Sequence, residues 1–453
     1  MRRPRHGDID MTQGSELKHI LNFALPMLLG SIFQQLYNTV DTWVVGNYAS
    51  TEAFSAVGTV SPIINMLIGL FMGLASGAGV VISQYYGAKN DKGVHDAVHT
   101  SIALTAVLTL ILTAVGIFVT PAMLRFMKTP ENVMPESATY LTIYFGGMAG
   151  LLFYNMGSGI LRAVGDSQRP FYFLVVSALL NTALDLLFVI RFGWGVAGVA
   201  WATVIAQCVS AALTLVTLMR TESSVRLRPT HIRFAGAMLS KIVRVGIPAA
   251  LQMAITSFSN VFVQSYINQF GKECMGGWTA YTKVDALIFL PMQSLALAAT
   301  TFVGQNLGIG QVERARKGTR TALYMALVST VVISAVMIPA ASTLVRFFSQ
   351  DPQVIDYGAR FLQYLTPFYV LCCVNQVYSA ALRGAGDTRA PMIIMLAAFV
   401  VFRQIYLFVV SHFIANEIIP LAMGYPAGWL VCSILTLAYY RHADIGRNRL
   451  TEN

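Results

Sequence analysis

Residues 25–46 read LPMLLGSIFQQLYNTVDTWVVG, part of an apolar stretch that also carries Gln34, Asn38 and Asp41 at i, i+4 and i+7. In a helix that spacing gathers the three polar side chains on one face. A carboxylate at membrane depth costs roughly 2.5–3.5 kcal/mol on insertion scales. Asp41 therefore calls for a partner, a proton, a metal ion or a water-filled cavity.

The surroundings make membrane depth the right setting. Of 453 residues, 55% are hydrophobic and 11% charged, against about 25% charged in soluble domains. One crossing needs about 20 apolar residues, and the chain supplies twelve such stretches, from 19–45 to 417–440. The expected fold is all-α and integral to a membrane. The polar, basic start and the long first span argue against a cleaved signal. Cys208, Cys274, Cys372, Cys373 and Cys432 lack metal-ligand or disulfide spacing and read as packing residues.

The net charge of +10 is unevenly placed. Arg2, Arg3, Arg5, Lys89, Lys92, Arg162 and Arg169 belong to the N-terminus and the even-numbered loops. The central loop adds Arg220, Arg226, Arg228, Arg233, Lys241 and Arg244, and the next even loop Arg314, Arg316, Lys317 and Arg320. The positive-inside rule then puts both termini in the cytoplasm of a multi-pass plasma-membrane protein. The basic balance reports topology and points away from nucleic acid.

The longest polar break, 220–240, divides two halves, 1–230 and 231–453, which repeat at an offset of 221–222 residues. Pro26 and Asn38 match Pro248 and Asn260, and Gln84 and Gly87 match Gln305 and Gly308. LRAVGDSQRP (161–170) matches LRGAGDTRAP (382–391). Six spans per half make the repeat parallel, giving two pseudo-symmetric six-helix lobes around a central cleft. The second copy also reads GxGD, a pattern of intramembrane aspartyl proteases. Its place between two spans, flanked by Arg and followed by a helix-starting Pro, favours a structural turn.

Only Asp41, Asp185 and Asp285 among the acids, and Lys283 and Arg403 among the bases, fall well inside spans. Asn181 and Asp185 share one helical face, Thr203 follows in the sixth span and Tyr140 begins the fourth. Converging on Asp41, these would offer carboxylates, an amide and hydroxyls, a hard-oxygen set suited to a small alkali cation. Close carboxylates also raise one pKa, so the same cluster could carry a proton. The competing reading is a hydrogen-bond network that fixes packing.

YNTVDTWVVG, LLNTALDLLFV, GQNLG and the LRAVGD/LRGAGD pair resemble the multidrug and toxic compound extrusion (MATE) family across residues ~15–440, and Asp41 and Asp185 resemble its DinF-like branch. The resemblance implies a two-lobed antiporter exporting organic, often cationic compounds against Na⁺ or H⁺, without cofactor or catalysis. It implies cation coupling at Asp41, Asn181, Asp185 and Thr203, with Tyr140 beside them. The NorM-like branch instead carries acids in the seventh and tenth spans, whereas here the seventh has none and the tenth offers only Gln363, Asn375 and Gln376. Arg403 and Tyr406 stand where the repeat would place Thr182 and Asp185. That asymmetry assigns coupling to the first lobe.

Polar candidates for substrate contact are Gln34, Tyr37, Asn38, Gln252, Gln264 and Asp285, the last either facing the cleft or pairing with Arg403. Methionines such as Met66, Met72, Met253 and Met292 suit varied greasy substrates. Pro26 and Pro248 permit kinks in the first and seventh spans, fixed or moving. Partners are then small amphipathic cations and the lipid bilayer, with the chain monomeric. A lipid-linked-intermediate flippase would want a basic cluster in the cleft, which the sequence lacks. An intramembrane enzyme would want a second catalytic motif, also lacking.

Overall fold

The computed structural model describes residues 9–48, 50–127, 129–447 and 449–451, and within helices omits some side chains, among them Asp41, Thr42 and Met66. Statements of absence below refer to the described residues. The first six spans are α1 (Glu16–Tyr48), α2 (Thr51–Gly87), α3 (Asp91–Phe126), the pair α4 (Met134–Gly146) and α5 (Met148–Ala163), α6 (Gln168–Asp185) and α7 (Gly195–Arg220). The other six are α8 (Gly236–Ile267), α9 (Lys272–Gly308) and α10 (Val312–Met337), followed by a short α11 (Ala341–Arg346) and the pair α12 (Pro352–Leu365) and α13 (Tyr369–Gly384). The eleventh comprises α14 (Arg389–Met395) and α15 (Arg403–Val409) with π-helical turns, and the twelfth α16 (Ile418–Ala422) and α17 (Gly424–His442).

Among the described residues, eleven helices are long and apolar enough to cross a membrane. The twelfth crossing, expected at 138–160, breaks at Gly147 into α4 and α5, each short on its own. The tenth breaks at the corresponding place, in a 3₁₀ turn over Thr366–Phe368 around Pro367. Both breaks have a local cause: a Gly146-Gly147 doublet and a proline without an amide hydrogen. The all-helical two-lobe fold is as expected from sequence.

The repeat extends to the lipid-facing surface. On α3, Val107, Leu110, Ile111 and Val115 are exposed, and on α10 so are Val328, Val331, Val332 and Val336, each 221 residues further on. An exposed β-branched and leucine stripe on a buried-looking sequence is what hydrocarbon contact permits.

The chain forms two compact units: residues 1–10 with 26–247, and residues 11–25 with 248–453. The 230/231 division is one of sequence, whereas each unit's main block starts at a proline inside a helix, Pro26 or Pro248. In the first unit the connecting segment lies on α3, where Arg228 N donates to His99 Nε2 (3.0 Å) and Ala235 N to Thr100 Oγ1 (3.1 Å), and Lys241 Nζ of α8 donates to Tyr85 of α2 (2.9 Å). In the second, Met11 is clasped from both sides: its N–H donates to Gln305 (2.9 Å) and its carbonyl accepts from Asn306 and Arg314. Gln305 and Asn306 belong to the GQNLG stretch, whose role here is to hold this segment.

Glycines set the helix spacing of the first unit. A Cβ on Gly150 would lie 2.7 Å from the backbone of Cys208 on α7, and one on Gly77 would lie 2.5 Å from the backbone of Gly246 on α8. Small residues allow such backbone approach in membranes.

Candidate functional site

In the first unit, α6 ends on the two residues of interest. Asn181 is 2% exposed and Asp185 fully buried. At Asp185 the α-helix gives way to a π-helix over Leu186–Arg191, an irregularity that recurs at functional sites. Ser177 Oγ donates to the Ala206 carbonyl at 2.9 Å. That bond ties α6 to α7 one turn from Asn181 and three residues from Thr203. Thr203 Oγ1 is buried and has no hydrogen-bond partner among the described residues. Helix α7 also packs on α4, which carries the buried Tyr140 stacked on Tyr144 with ring centroids 6.2 Å apart. Three of the helices named from sequence are therefore neighbours. Asp41 lies on α1, but its side chain is outside the described residues. On the same helix Gln34 and Asn38 are exposed and Tyr37 is partly buried.

The second unit presents different chemistry. A cavity of about 260 Å³ is lined by residues of α8, α9, α13, the eleventh span and α17, including Asp285, Arg403, Trp278, Tyr425 and Trp429. Arg403 is 1% exposed. Its Nη1 donates to Ser259 Oγ and Asn260 Oδ1, both at 3.2 Å. Its Cζ lies 4.6 Å from the ring centroids of Phe399 and of Tyr425, within cation–π range. The two alternatives for Asp285 separate here: no ion pair joins it to Arg403, and its Oδ1 is buried without a hydrogen-bond partner among the described residues. Asp285 faces the cavity instead.

The remaining candidates are spread out. Gln252 is buried, donating to the Thr388 carbonyl (3.1 Å) and accepting from Arg383 (3.2 Å), so its amide is engaged by the LRGAGD turn. Gln264 donates to Asn268 at 2.6 Å on the same helix end. Met292 is fully buried in α9, whereas Met72 and Met253 are exposed.

Both RxxGD elements are structural turns. Gly165 and Gly386 share φ 87°, a left-handed conformation that glycine adopts without strain. Asp166 and Asp387 each accept the backbone N–H three residues on, at 3.1 and 3.3 Å, opening the next helix as capping residues do. Asp387 also accepts from Tyr439 at 2.6 Å.

Sequence reasoning did not single out the aromatic wall of the second unit. Tyr281 and Tyr369 share a 2.8 Å hydrogen bond, and Trp278, Phe361, Tyr425 and Trp429 make successive ring contacts around them. These residues come from three spans far apart in sequence. The signal was present as clustered Trp and Tyr in otherwise aliphatic spans.

Comparison with known proteins fits this architecture. The MatE family pattern matches twice, over residues 26–187 and 248–409, beginning each time at the helix proline that opens a compact unit. The probable multidrug resistance protein YpnP of Bacillus subtilis is 30% identical over 433 residues, 96% of each chain. The FAD transporter of Shewanella oneidensis is 24% identical, over 88% of each. Among solved structures, a MOP superfamily transporter from Pyrococcus furiosus superposes with a TM-score of 0.91 at 24% identity, covering 97% of this chain and 98% of that one. An outward-facing multidrug resistance MATE transporter superposes at 0.90. With two matched repeats, a full-length relative and the same two-lobe fold, this chain belongs to the MatE family of membrane transporters and is not an enzyme.

Proposed function

We propose that the protein exports amphipathic, often cationic organic compounds in exchange for Na⁺ or H⁺, with coupling at Asp41, Asn181, Asp185, Thr203 and Tyr140 of the first lobe. The observation that carries this reading is the complete burial of Asp185, one turn after the buried Asn181, on a helix of membrane-spanning length. An ionisable group at that depth is a functional site by default. The oxygen-rich set around it suits a hard monovalent cation, and a carboxylate pair suits a proton equally.

Exchange follows from mutual exclusion. An ion at the Asp41–Asp185 cluster lowers substrate affinity, and by linkage the substrate lowers ion affinity by the same factor. Gln34, Tyr37 and Asn38, on the face that carries Asp41, are the proposed substrate contacts in this lobe, and Asp285 attracts a cationic group in the other. Pro26 and Pro248 serve as the bending points, since each leaves a backbone carbonyl without its helical donor. Both termini are placed in the cytoplasm, with the protein a monomer in the plasma membrane.

The test is uptake of a fluorescent organic cation in proteoliposomes with Na⁺ and pH gradients imposed separately. Transport should collapse when one gradient is removed and persist when the other is. Asp41→Asn should abolish it at unchanged membrane expression; wild-type transport in that variant would sink the coupling assignment.

A further inference from the structure

We propose that the connecting segment 227–235 is held on α3 by a proton-operated latch: His99 binds it when neutral and releases it when protonated. The latch lies wholly within the first unit and does not depend on how transport is coupled.

Hydrogen-bond chemistry leaves His99 a single tautomer. The residue is 1% exposed, and its Nε2 accepts the Arg228 N–H at 3.0 Å. That nitrogen therefore carries a lone pair and no hydrogen. The hydrogen of the neutral ring is then on Nδ1, which donates to the His95 carbonyl at 2.7 Å. Both ring nitrogens are used, each in one role. A proton added to His99 goes on Nε2 and turns the acceptor into a second donor, facing the Arg228 N–H. The docking bond is lost.

Two more imidazoles extend the cluster. The His95 ring lies on that of His99, with centroids 3.9 Å apart, and His95 Nε2 is 3.1 Å from His231 Nδ1 on the connecting segment. One hydrogen between those nitrogens makes the bond, so the pair can take up one proton and keep it. His99 has no such freedom. Nor does a carboxylate hold its charged form in place: Asp96 lies 3.6 Å from His95 Nδ1 and 3.9 Å from Arg233 Nη2, and no ion pair joins it to His99. The remaining charged groups on the neighbouring elements have other company. Arg226 Nε donates to the Met219 carbonyl, Lys241 of α8 donates to Tyr85 of α2, Arg162 of α5 lies by Tyr154, and Glu136 stands in the first turn of α4.

Little else holds the segment. Leu227 N donates to the Leu218 carbonyl at 2.9 Å and Ala235 N to Thr100 Oγ1 at 3.1 Å, and between them runs one exposed 3₁₀ turn, Pro229–His231. Imidazole changes charge between about pH 5 and 8. Docking needs the neutral ring, so acid on the side of the membrane that carries this loop weakens it. In the second unit the repeat sets Arg316 and Arg320 where His95 and His99 stand. A guanidinium keeps its charge throughout that range, so the latch belongs to one lobe.

The experiment is hydrogen–deuterium exchange of the purified full chain in detergent at about pH 7.5 and about pH 5.5, on either side of the imidazole range. Labelling times are scaled for the intrinsic pH dependence of exchange. In the wild type, protection over 227–235 should fall about ten-fold on acidification, while the middle of α3 stays protected. His99→Gln offers an amide oxygen to Arg228 and an amide N–H to His95 and takes up no proton in this range. It should hold the segment equally at both pH values. Equal protection of the wild type at both overturns the proposal, as does an undiminished acid response in a folded His99→Gln protein. If His99→Gln does not fold, or does not hold the segment at the higher pH, His231→Asn decides. His99 is then still in place and the acid response must remain; its loss would move the proton to the His95–His231 pair and overturn the assignment. Exchange is read without substrate or gradient, so a failed coupling assignment leaves this result untouched.

Discussion

The fifth and eleventh spans leave the same kind of turn and then diverge in charge. Gly165 and Gly386 have identical φ, and the aspartates beside them open the next helices in the same way. Further along, the repeat sets Phe402 where Asn181 stands, Tyr406 where Asp185 stands, and Gly424 where Thr203 stands. On α8, Val263 stands where Asp41 does on α1. Each oxygen-bearing candidate of the first lobe meets a carbon-dominated residue in the second, and a guanidinium appears one place over, at Arg403. The turn geometry has been kept, while the span after it carries a π-helix over Leu396–Phe402 where the first lobe is α-helical and a buried guanidinium instead of a buried carboxylate. A buried cation repels a second one at close range, so the place beside Arg403 is unfavourable for a metal cation.

The strongest way to break that comparison is to remove the polar group at the equivalent place in each lobe. Under the coupling proposed above, Asp185→Asn should reduce gradient-driven uptake in proteoliposomes to background, a loss of at least ten-fold, because the exchanged ion would lose its charged ligand. Tyr406→Phe, at the repeat-equivalent place, removes a hydroxyl that donates to the Pro420 carbonyl at 3.0 Å and should leave uptake within two-fold. Equal losses in both variants would show that the lobes share the coupling role.

A second contrast concerns spacing. Gly77 meets the backbone of Gly246, and their repeat mates are Ala298 and Ala24, both buried in the second unit. The first unit therefore uses a glycine pair where the second tolerates methyl groups. Gly77→Ala places a Cβ 2.5 Å from main-chain atoms that cannot rotate away, and should destabilise by about 1–3 kcal/mol. Ala298→Gly removes one methyl and should cost about 1 kcal/mol. Thermal unfolding in detergent would show the order; a Gly77→Ala protein as stable as wild type would mean the helices can separate freely.

How far the sequence carries these readings depends on the kind of signal. Twelve crossings, the two-lobe repeat and the turn role of RxxGD were legible, because hydropathy and a glycine-aspartate pair act locally. The break at Gly147 was legible in principle from the Gly146-Gly147 doublet, but a hydropathy window averages over it. The π-turns after Asp185 and before Arg403 leave no pattern in residue type. The cavity around Arg403 was illegible for another reason: Asn260, Asp285, Arg403 and Tyr425 lie on four spans, and periodicity places a residue on a face without saying which faces meet. The segment 11–25 joins the second unit through Gln305, Asn306 and Arg314, contacts separated by about three hundred residues and invisible to local reading.

The two asparagines at repeat-equivalent places, Asn38 and Asn260, give a subtler contrast. Asn260 supplies one of two neutral acceptors for the buried Arg403, whereas Asn38 is exposed on α1. Asn260→Ala leaves a buried cationic donor short of an acceptor, a loss of about 1–3 kcal/mol for a charged group. Asn38→Ala should change stability by less than about 0.5 kcal/mol, as for surface sites in general.

The smallest expected effect tests the clasp on the N-terminal segment. Arg314 bonds the Met11 carbonyl through Nη2 at 3.2 Å and Glu16 through Nη1 at 3.1 Å, with both side chains partly exposed. Half-exposed pairs contribute about 0–1 kcal/mol, so Arg314→Ala should lower the unfolding midpoint only slightly. Gln305, in contrast, is fully buried and accepts from the Met11 N–H, and Gln305→Leu strands that amide. The clasp therefore predicts an order, Gln305→Leu losing more stability than Arg314→Ala. The reverse order would mean that the segment is held by its surface charge pair and not by the buried amide of the GQNLG stretch.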